Sequence, residues 1–170
     1  LIRFATTITM WIDHLFFPGL RKQKVERPIV LVGNPRTGTT FMQRWLSDHD
    51  FGTGMPLYSM QFPSLTVQKI LNPFLPFLEK HSPARHHSSA AHETSLLSVE
   101  TDDVGVFFRH FDGFFLYGFL LAWAEEDHRP LFDPNLRDTT ARDYKWLDAL
   151  WQRNLYKGKK DRVVAKLFSL

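Results

Sequence analysis

Cysteine is absent from this sequence of 170 residues. Its absence excludes disulfide bonds, thiolate nucleophiles and metal sites built on cysteine. Because a chain without cysteine suits either redox environment, the compartment stays open, and a cytoplasmic location is the working expectation. The chain also has little net charge: the formal value is +3, and the basic residues are spread along the sequence. This balance favours a small anionic ligand and argues against nucleic acid as a partner.

Long apolar runs are also missing. Residues 1–20 are rich in Ile, Leu, Phe and Trp, but Arg3, Asp13 and His14 interrupt them, so neither a membrane-spanning helix nor a signal peptide fits. The spacing instead predicts an amphipathic helix that lies on its own domain, with peripheral contact to a membrane surface as the alternative. The apolar residues of this pattern are Phe4, Ile8, Trp11, Ile12 and Leu15.

The composition, 44% hydrophobic and 23% charged, is that of a globular protein with one core. We predict an N-terminal amphipathic helix with a charged linker over 1–27, followed by a domain over 28–170. The first residue is not methionine, and the sequence stops at "DRVVAKLFSL", which has the character of a strand. The expectation is a fragment that lacks residues at both ends.

The order of elements after Pro28 is typical of an α/β protein. "IVLVG" is the short β-branched run of a buried parallel strand, and "FMQRWLSDHD" continues as a helix with Phe41, Met42, Trp45 and Leu46 on one face. A helix over 138–158 and a strand at "RVVAKLFSL" predict a three-layer α/β fold with a parallel sheet. Between them, 52–89 is interpreted as an irregular excursion with one helix near "LTVQKIL", and 104–124 as a buried helix.

The stretch "VGNPRTGTTF", from Val32 to Phe41, nearly spells a phosphate-binding loop between the first strand and the helix that follows. Its two glycines and the start of a helix give a cradle of N–H groups for an anion. The lysine of an NTP-binding loop is missing, because Thr39 occupies its position. Arg36 places the cation inside the loop instead, where a guanidinium can grip a transferring anionic group. The loop is therefore predicted to serve group transfer from an anionic donor.

"PIVLVGNPRTGTTFMQRWL" resembles the 5'-phosphosulfate-binding loop of the sulfotransferase family, whose members carry P-[RK]-[ST]-G-T-T between a strand and a helix. Weaker similarity continues down the chain. "AHETSLLSVETDDVGVF" is similar to a segment in which a histidine precedes an acidic cluster, and "RVVAKLFSL" to a strand ending in Lys-Ser-Pro, with Leu167 and Phe168 in place of serine and proline. The resemblance implies a P-loop-like fold that moves sulfonate from 3'-phosphoadenosine 5'-phosphosulfate to a hydroxyl or amine, with no metal ion.

The resemblance also implies roles for individual residues. Arg36 would bind the phosphosulfate and offset charge on the leaving oxygen, and Lys166 would be a second cation beside the sulfonate. The residues that would hold the 5'-phosphate are Thr37, Gly38, Thr39 and Thr40. Some relatives use as general base a glutamate roughly two turns after the loop helix, but no glutamate lies between Glu26 and Glu79. The candidates for the base are then His92, which we favour, and Glu93, Glu100, Asp102 and Asp103.

Two other functions stay open. A P-loop kinase or NTPase with a degenerate loop would bind ATP with a metal ion, and a membrane-associated binding protein built on residues 1–20 would bind lipid without needing Arg36. The sequence does not identify the acceptor of a sulfotransferase, which would be a small apolar alcohol, a lipid, a sugar or a peptide.

Relatives bind the 3'-phosphate of the donor beyond the Lys-Ser-Pro strand. Residues 1–170 alone are therefore expected to be inactive and to bind donor poorly.

A patch of histidines, formed by His81, His86, His87 and His92, is interpreted as a solvated loop. No metal-ligand spacing such as H-E-x-x-H accompanies it. A metal ion is therefore not expected at this patch.

Overall fold

The computed structural model describes residues 2–34, 37–82, 94–158 and 160–168. Within these ranges the chain forms helices around two short strands. The helices are α1 (Ile2–Phe16), α2 (Thr39–Asp48), α3 (Leu57–Gln61), α4 (Leu65–Leu71), α5 (Leu75–His81), α6 (Asp103–His110), α7 (Arg129–Phe132) and α8 (Thr140–Gly158). Short 3-10 helices span Pro18–Lys22 and Asn72–Phe74, and a π-helical turn spans Phe115–Leu120. The strands are β1 (Ile29–Val32) and β2 (Val164–Leu167).

The two strands lie side by side in parallel, so the chain has the mixed helical and parallel-sheet character of an α/β protein. The register pairs Leu31 with Lys166. On its other edge, β2 forms backbone hydrogen bonds with Thr53. The Thr53 amide donates to the Arg162 carbonyl at 2.9 Å, and the Val164 amide donates to the Thr53 carbonyl at 3.0 Å. Because the strands are parallel, their carboxyl ends meet at one edge, and the loop after β1 leaves from that edge.

The core is built around the long helix α8, which packs against α3 and α6. At the start of this helix the Asp138 carboxylate accepts the Thr140 amide at 2.8 Å. Leu147, Leu150, Trp151 and Leu155 are buried on its inner face, whereas Tyr144 is 64% exposed. The buried apolar side chains of the core are Met10, Met55, Met60, Val104, Val106, Trp146, Leu147, Leu150, Trp151, Leu155, Val163, Ala165 and Leu167.

α1 is the predicted helix, but it turns its polar side toward the domain. Asp13 is fully buried, whereas the apolar residues on the opposite side are exposed. α1 thus packs on the domain, against α4 and α6, but with most of its apolar pattern facing outward. The exposed residues are Phe4, Ile8, Trp11 and Leu15. Among the described helices, none is both long and apolar enough to cross a membrane.

Hydrogen bonds to Asp13 explain this orientation. Its carboxylate accepts the Ser64 hydroxyl at 2.8 Å, the Leu65 amide at 3.0 Å and the Thr66 amide at 2.9 Å, all at the start of α4. Arg153 of α8 donates from Nε to the same carboxylate at 2.9 Å and is itself only 5% exposed. Because a buried charge must be paired and hydrogen-bonded, these partners fix which side of α1 faces inward.

The segments 52–89 and 104–124 differ from their predictions. The described part of the first forms α3, α4 and α5, and Met55, Tyr58 and Met60 are each 1% exposed, so this segment belongs to the core and is not an excursion over it. In the second, α6 ends at His110 because Phe111 and Gly113 adopt left-handed conformations, with φ of 52° and 88°. Residues 119–124 beyond this break are exposed, so the prediction of one buried helix is wrong.

Candidate functional site

The loop between β1 and α2 is shaped by its two glycines. Gly38 precedes the first turn of α2 with φ of 83°, a left-handed conformation that favours glycine. Gly33 has no room for a side chain, since a Cβ there would lie 2.9 Å from Thr39 Cγ2. Thr37 donates its hydroxyl to the Asn34 carbonyl at 2.7 Å. The loop therefore leads directly into the amino end of α2, where helix N–H groups are open to an anion.

β2 brings a lysine to this helix start. Lys166 Nζ donates to Thr40 Oγ1 at 2.6 Å. The register places Lys166 beside Leu31, one residue before β1 ends, and α2 packs across β2 at this point. The Thr40 hydroxyl and the Lys166 ammonium thus lie together at the carboxyl edge of the sheet.

Lys166 is almost inaccessible, at 3% exposure. Burial lowers the pKa of its ammonium below the ordinary value, although the carboxylates of Glu100 and Asp103 oppose the shift. The ammonium lies 4.7 Å from the centre of the Phe168 ring, a cation–π contact that offsets part of the lost hydration. Since the pKa is lowered despite these contacts, the surrounding groups stabilise the charged ammonium less than water would. A bound anion would stabilise it further.

Asp102 fixes the backbone of β2 beside this lysine. Its carboxylate accepts the Lys166 amide and Trp151 Nε1, both at 2.8 Å, and its own amide donates to the Lys166 carbonyl at 2.8 Å. Gln43 Nε2 lies 3.5 Å from the same carboxylate and donates to the Val164 carbonyl at 3.1 Å. Asp102 is fully buried, and burial raises its pKa to about 7 against the effect of these hydrogen bonds. These bonds make Asp102 a positioning residue for the backbone of Lys166.

The remaining predicted residues fall into two groups. Arg36 and His92, predicted to be catalytic, lie outside the described residues, as does Glu93. Glu100 and Asp103 lie near Lys166 and raise its pKa. Both are engaged in the fold, because Glu100 forms an ion pair with Arg44 at 3.1 Å, and Asp103 accepts the Phe168 amide at 2.7 Å.

Three residues that support the site were not predicted. Gln43 and Arg44 follow Thr40 by three and four positions, so they share its helical face, and this spacing could have identified them. Trp151 gives no such signal, since its contact with Asp102 joins residues 49 positions apart. Its role follows only from the fold.

No metal site is found in the described part of the chain, where no group of three or more His, Asp or Glu is placed to hold an ion. His81 lies at the end of α5, exposed, with Nδ1 2.9 Å from the Phe77 carbonyl. The other histidines of the patch, His86, His87 and His92, lie outside the described residues.

The hydrogen bond to Asp102 gives a pH-dependent prediction for Trp151→Phe. The Asp102 carboxyl ionises in the folded state near pH 7, and in the unfolded state near its ordinary value of 3.8. This group therefore makes the free energy of unfolding fall as pH rises between these two values. Loss of the Trp151 donor should cost about 1 kcal/mol when the carboxyl is protonated and about 2–3 kcal/mol when it is ionised. Urea unfolding at about pH 5 and about pH 8 measures the difference.

Trp146→Phe is the matched control. Trp146 Nε1 donates to the neutral Gly105 carbonyl at 2.8 Å, so the cost of losing it should not change with pH. His110, whose ring contacts Trp146, stays neutral over this range because burial lowers its pKa to about 4. Equal costs for Trp151→Phe at the two pH values would contradict the assignment of the raised pKa to Asp102.

The site combines a left-handed glycine before a helix, a threonine hydroxyl and a buried ammonium, which together can bind an anion with tetrahedral oxygens. No protein-family model, curated protein or solved structure matches the chain. Its function is therefore inferred from this geometry and from the loop motif.

Proposed function

We propose that this protein is a sulfotransferase that moves a sulfonate group from 3'-phosphoadenosine 5'-phosphosulfate to a hydroxyl or amine acceptor. The proposal includes a three-layer α/β fold in which β1, the loop and α2 act as a P-loop-like unit. The observation that carries it is the 2.6 Å contact between Lys166 Nζ and Thr40 Oγ1, beside the left-handed Gly38. This contact joins the loop motif to the lysine of the second, weaker motif.

The proposed chemistry is displacement at sulfur. The acceptor oxygen forms a bond to sulfur while the bond from sulfur to the bridging phosphate oxygen breaks, and the acceptor proton passes to a base. Negative charge grows on the leaving oxygen, and Lys166 and Arg36 would supply the two cations that offset it. Thr37, Gly38, Thr39 and Thr40 would hold the 5'-phosphate. His92 remains the proposed base.

The source of the lysine distinguishes this site from an NTP site. In an NTP-binding loop the lysine belongs to the loop itself and reaches the β- and γ-phosphates. Here Thr39 occupies that position, and the ammonium comes from β2, in contact with the Thr40 hydroxyl. An ammonium at this place favours a shorter anionic group, attached at the 5'-phosphate, over a triphosphate chain.

The test is transfer of labelled sulfonate by the full-length protein to a panel of alcohols, lipids, sugars and tyrosine peptides, in the presence of a metal chelator. Arg36→Ala is expected to reduce the rate by at least about 100-fold, since it removes a cation from the transition state. Arg129→Ala is the control, because Arg129 pairs only with the exposed Asp127 in the described structure and lies outside the loop. Unchanged transfer by Arg36→Ala would refute the proposal, and hydrolysis of ATP that requires Mg²⁺ would favour an NTPase.

A further inference from the structure

α1 presents a continuous apolar stripe to the outside. Phe4, Ile8, Trp11 and Leu15 are 70%, 42%, 72% and 71% exposed. At the helical rotation per residue they fall within an arc of about 60°, with Asp13 on the opposite side of the helix. An exposed apolar face of this kind marks a surface for a partner or a membrane.

The helix is held in this orientation at both ends. Near its start, Arg3 Nε donates to the Arg109 carbonyl at 3.0 Å, and Arg109 donates to the Arg3 carbonyl at 2.6 Å and to the Thr7 hydroxyl at 2.8 Å. Near its end, the buried pair of Asp13 and Arg153 joins it to α8. α1 cannot roll to bury its stripe without breaking both sets of bonds.

The net positive charge of the protein lies next to this helix. Residues 21–27 contain four of the 21 basic residues and one of the 18 acidic residues, which leaves 17 of each sign in the rest of the chain. All four basic side chains are exposed: Arg21, Lys22, Lys24 and Arg27. Three of them, Lys22, Lys24 and Arg27, also line an open cavity of about 740 Å³. The other charged residues that line it are Lys160, Arg162, Glu26, Asp50 and Asp161, and Lys160 forms an ion pair with Asp50.

We propose that α1 docks the protein on an anionic lipid surface, with the stripe among the upper acyl chains and the basic residues of 21–27 on headgroup phosphates. The only acidic residue of α1, Asp13, faces the domain, so no carboxylate on the helix opposes an anionic surface. Tryptophan and phenylalanine on the apolar face suit the interface between headgroups and acyl chains. At 15 residues the helix lies in the plane of the membrane. This inference does not depend on sulfonate transfer.

The first experiment measures co-sedimentation of the protein with vesicles of phosphatidylcholine containing phosphatidylserine, and with vesicles of phosphatidylcholine alone. Binding is expected on the anionic vesicles, with a fall at high salt, because the basic residues act through screened charge. Trp11→Gln with Leu15→Gln should weaken this binding by at least about tenfold, since it removes two anchors from the stripe. Trp123→Gln with Leu136→Gln is the matched control, because these side chains are 94% and 67% exposed and lie outside α1.

The second pair of variants tests the charge. Lys22→Gln with Lys24→Gln should weaken binding to anionic vesicles by about 30-fold, from about 1 kcal/mol for each basic residue near the surface. Lys80→Gln with Lys145→Gln, an equal loss of charge from exposed positions elsewhere, should have little effect. Circular dichroism of each variant checks that the helices remain.

Three results would overturn the proposal. They are absence of binding to either kind of vesicle, equal binding by the Trp11 and Trp123 variants, and equal binding to charged and neutral vesicles. Sedimentation equilibrium in the absence of lipid tests whether a second copy of the chain covers the stripe. Self-association that is lost in the variant carrying Trp11→Gln and Leu15→Gln, without vesicle binding by the unmodified protein, would assign the stripe to a protein dimer and refute the lipid surface.

Discussion

Lys166→Met is expected to slow sulfonate transfer by the full-length protein by about 100- to 1,000-fold, the range found when one preorganised donor to a developing oxyanion is removed. Methionine keeps about the length of the side chain, but it removes the ammonium that lies 2.6 Å from Thr40 Oγ1 and 4.7 Å from the centre of the Phe168 ring. Burial lowers the pKa of Lys166 below its ordinary value of 10.5. As the pH is raised, the ammonium should therefore lose its proton, and activity should fall, at a lower pH than an exposed lysine would give. Rate measurements against pH test both effects.

Lys157→Met is the control for this variant. Lys157 is also a lysine whose pKa burial lowers, and it donates to Gln68 Oε1 at 2.8 Å beside the Tyr58 ring, away from the loop. Its replacement should change the stability of the protein but leave the rate within about threefold. If Lys166→Met is no slower than Lys157→Met, then Lys166 serves only to hold Thr40 and the proposed role in transfer is wrong.

Asp13→Ala is expected to lower the free energy of unfolding by about 3–5 kcal/mol, because it leaves the buried Arg153 guanidinium without its carboxylate. The Ser64 hydroxyl and the Leu65 and Thr66 amides lose their acceptor at the same time. Burial by itself raises the pKa of Asp13, but the hydrogen bonds from Thr66 and Arg153 outweigh it and hold the pKa below its ordinary value. The stabilisation is therefore fully present above pH 3.8, and it is lost as the pH falls through the lower pKa that Asp13 has in the folded protein.

Urea unfolding at neutral pH measures this loss, with Asp127→Ala as the comparison. Asp127 pairs with Arg129 at 2.8 Å on the surface, where the two side chains are 54% and 79% exposed. Removal of such a pair should cost no more than about 1 kcal/mol. A cost of that size for Asp13→Ala would show that solvent reaches the Arg153 guanidinium, and the account of how α1 is anchored would fail.

Local patterns in the sequence predicted the parts of the fold that short-range physics decides. The β-branched run before the loop became β1, "LTVQKIL" became α4 (Leu65–Leu71), and the periodic segment near the end became α8. In the site, the resemblance assigned Thr40 and Lys166 separate roles toward one donor, and the structure adds the contact between them. Composition or spacing alone could not have placed these two residues together.

The orientation of helices was not predictable in the same way. In α1 and α2 the apolar pattern is clear, yet the side that is buried carries Asp13 in one helix and Gln43 in the other, while Trp11 and Trp45 are 72% and 40% exposed. Periodicity defines two faces of a helix, but the partners decide which face is covered. For Asp13 those partners lie 51 to 140 positions away, at Ser64 and Arg153, where no local signal connects them.

The distance along the chain between Thr40 and Lys166 affects how the protein is made. The two residues are 126 positions apart, and Lys166 is in the last described strand. During synthesis the loop and α2 emerge long before β2, so a growing chain can form the glycine turn but has no ammonium to place beside it. Bringing together two residues so far apart in the chain has an entropic cost, and contacts of this kind form slowly during folding. The proposed anion site is thus completed only after β2 has been synthesised, and a ribosome-bound chain that stops short of β2 carries the loop without the lysine.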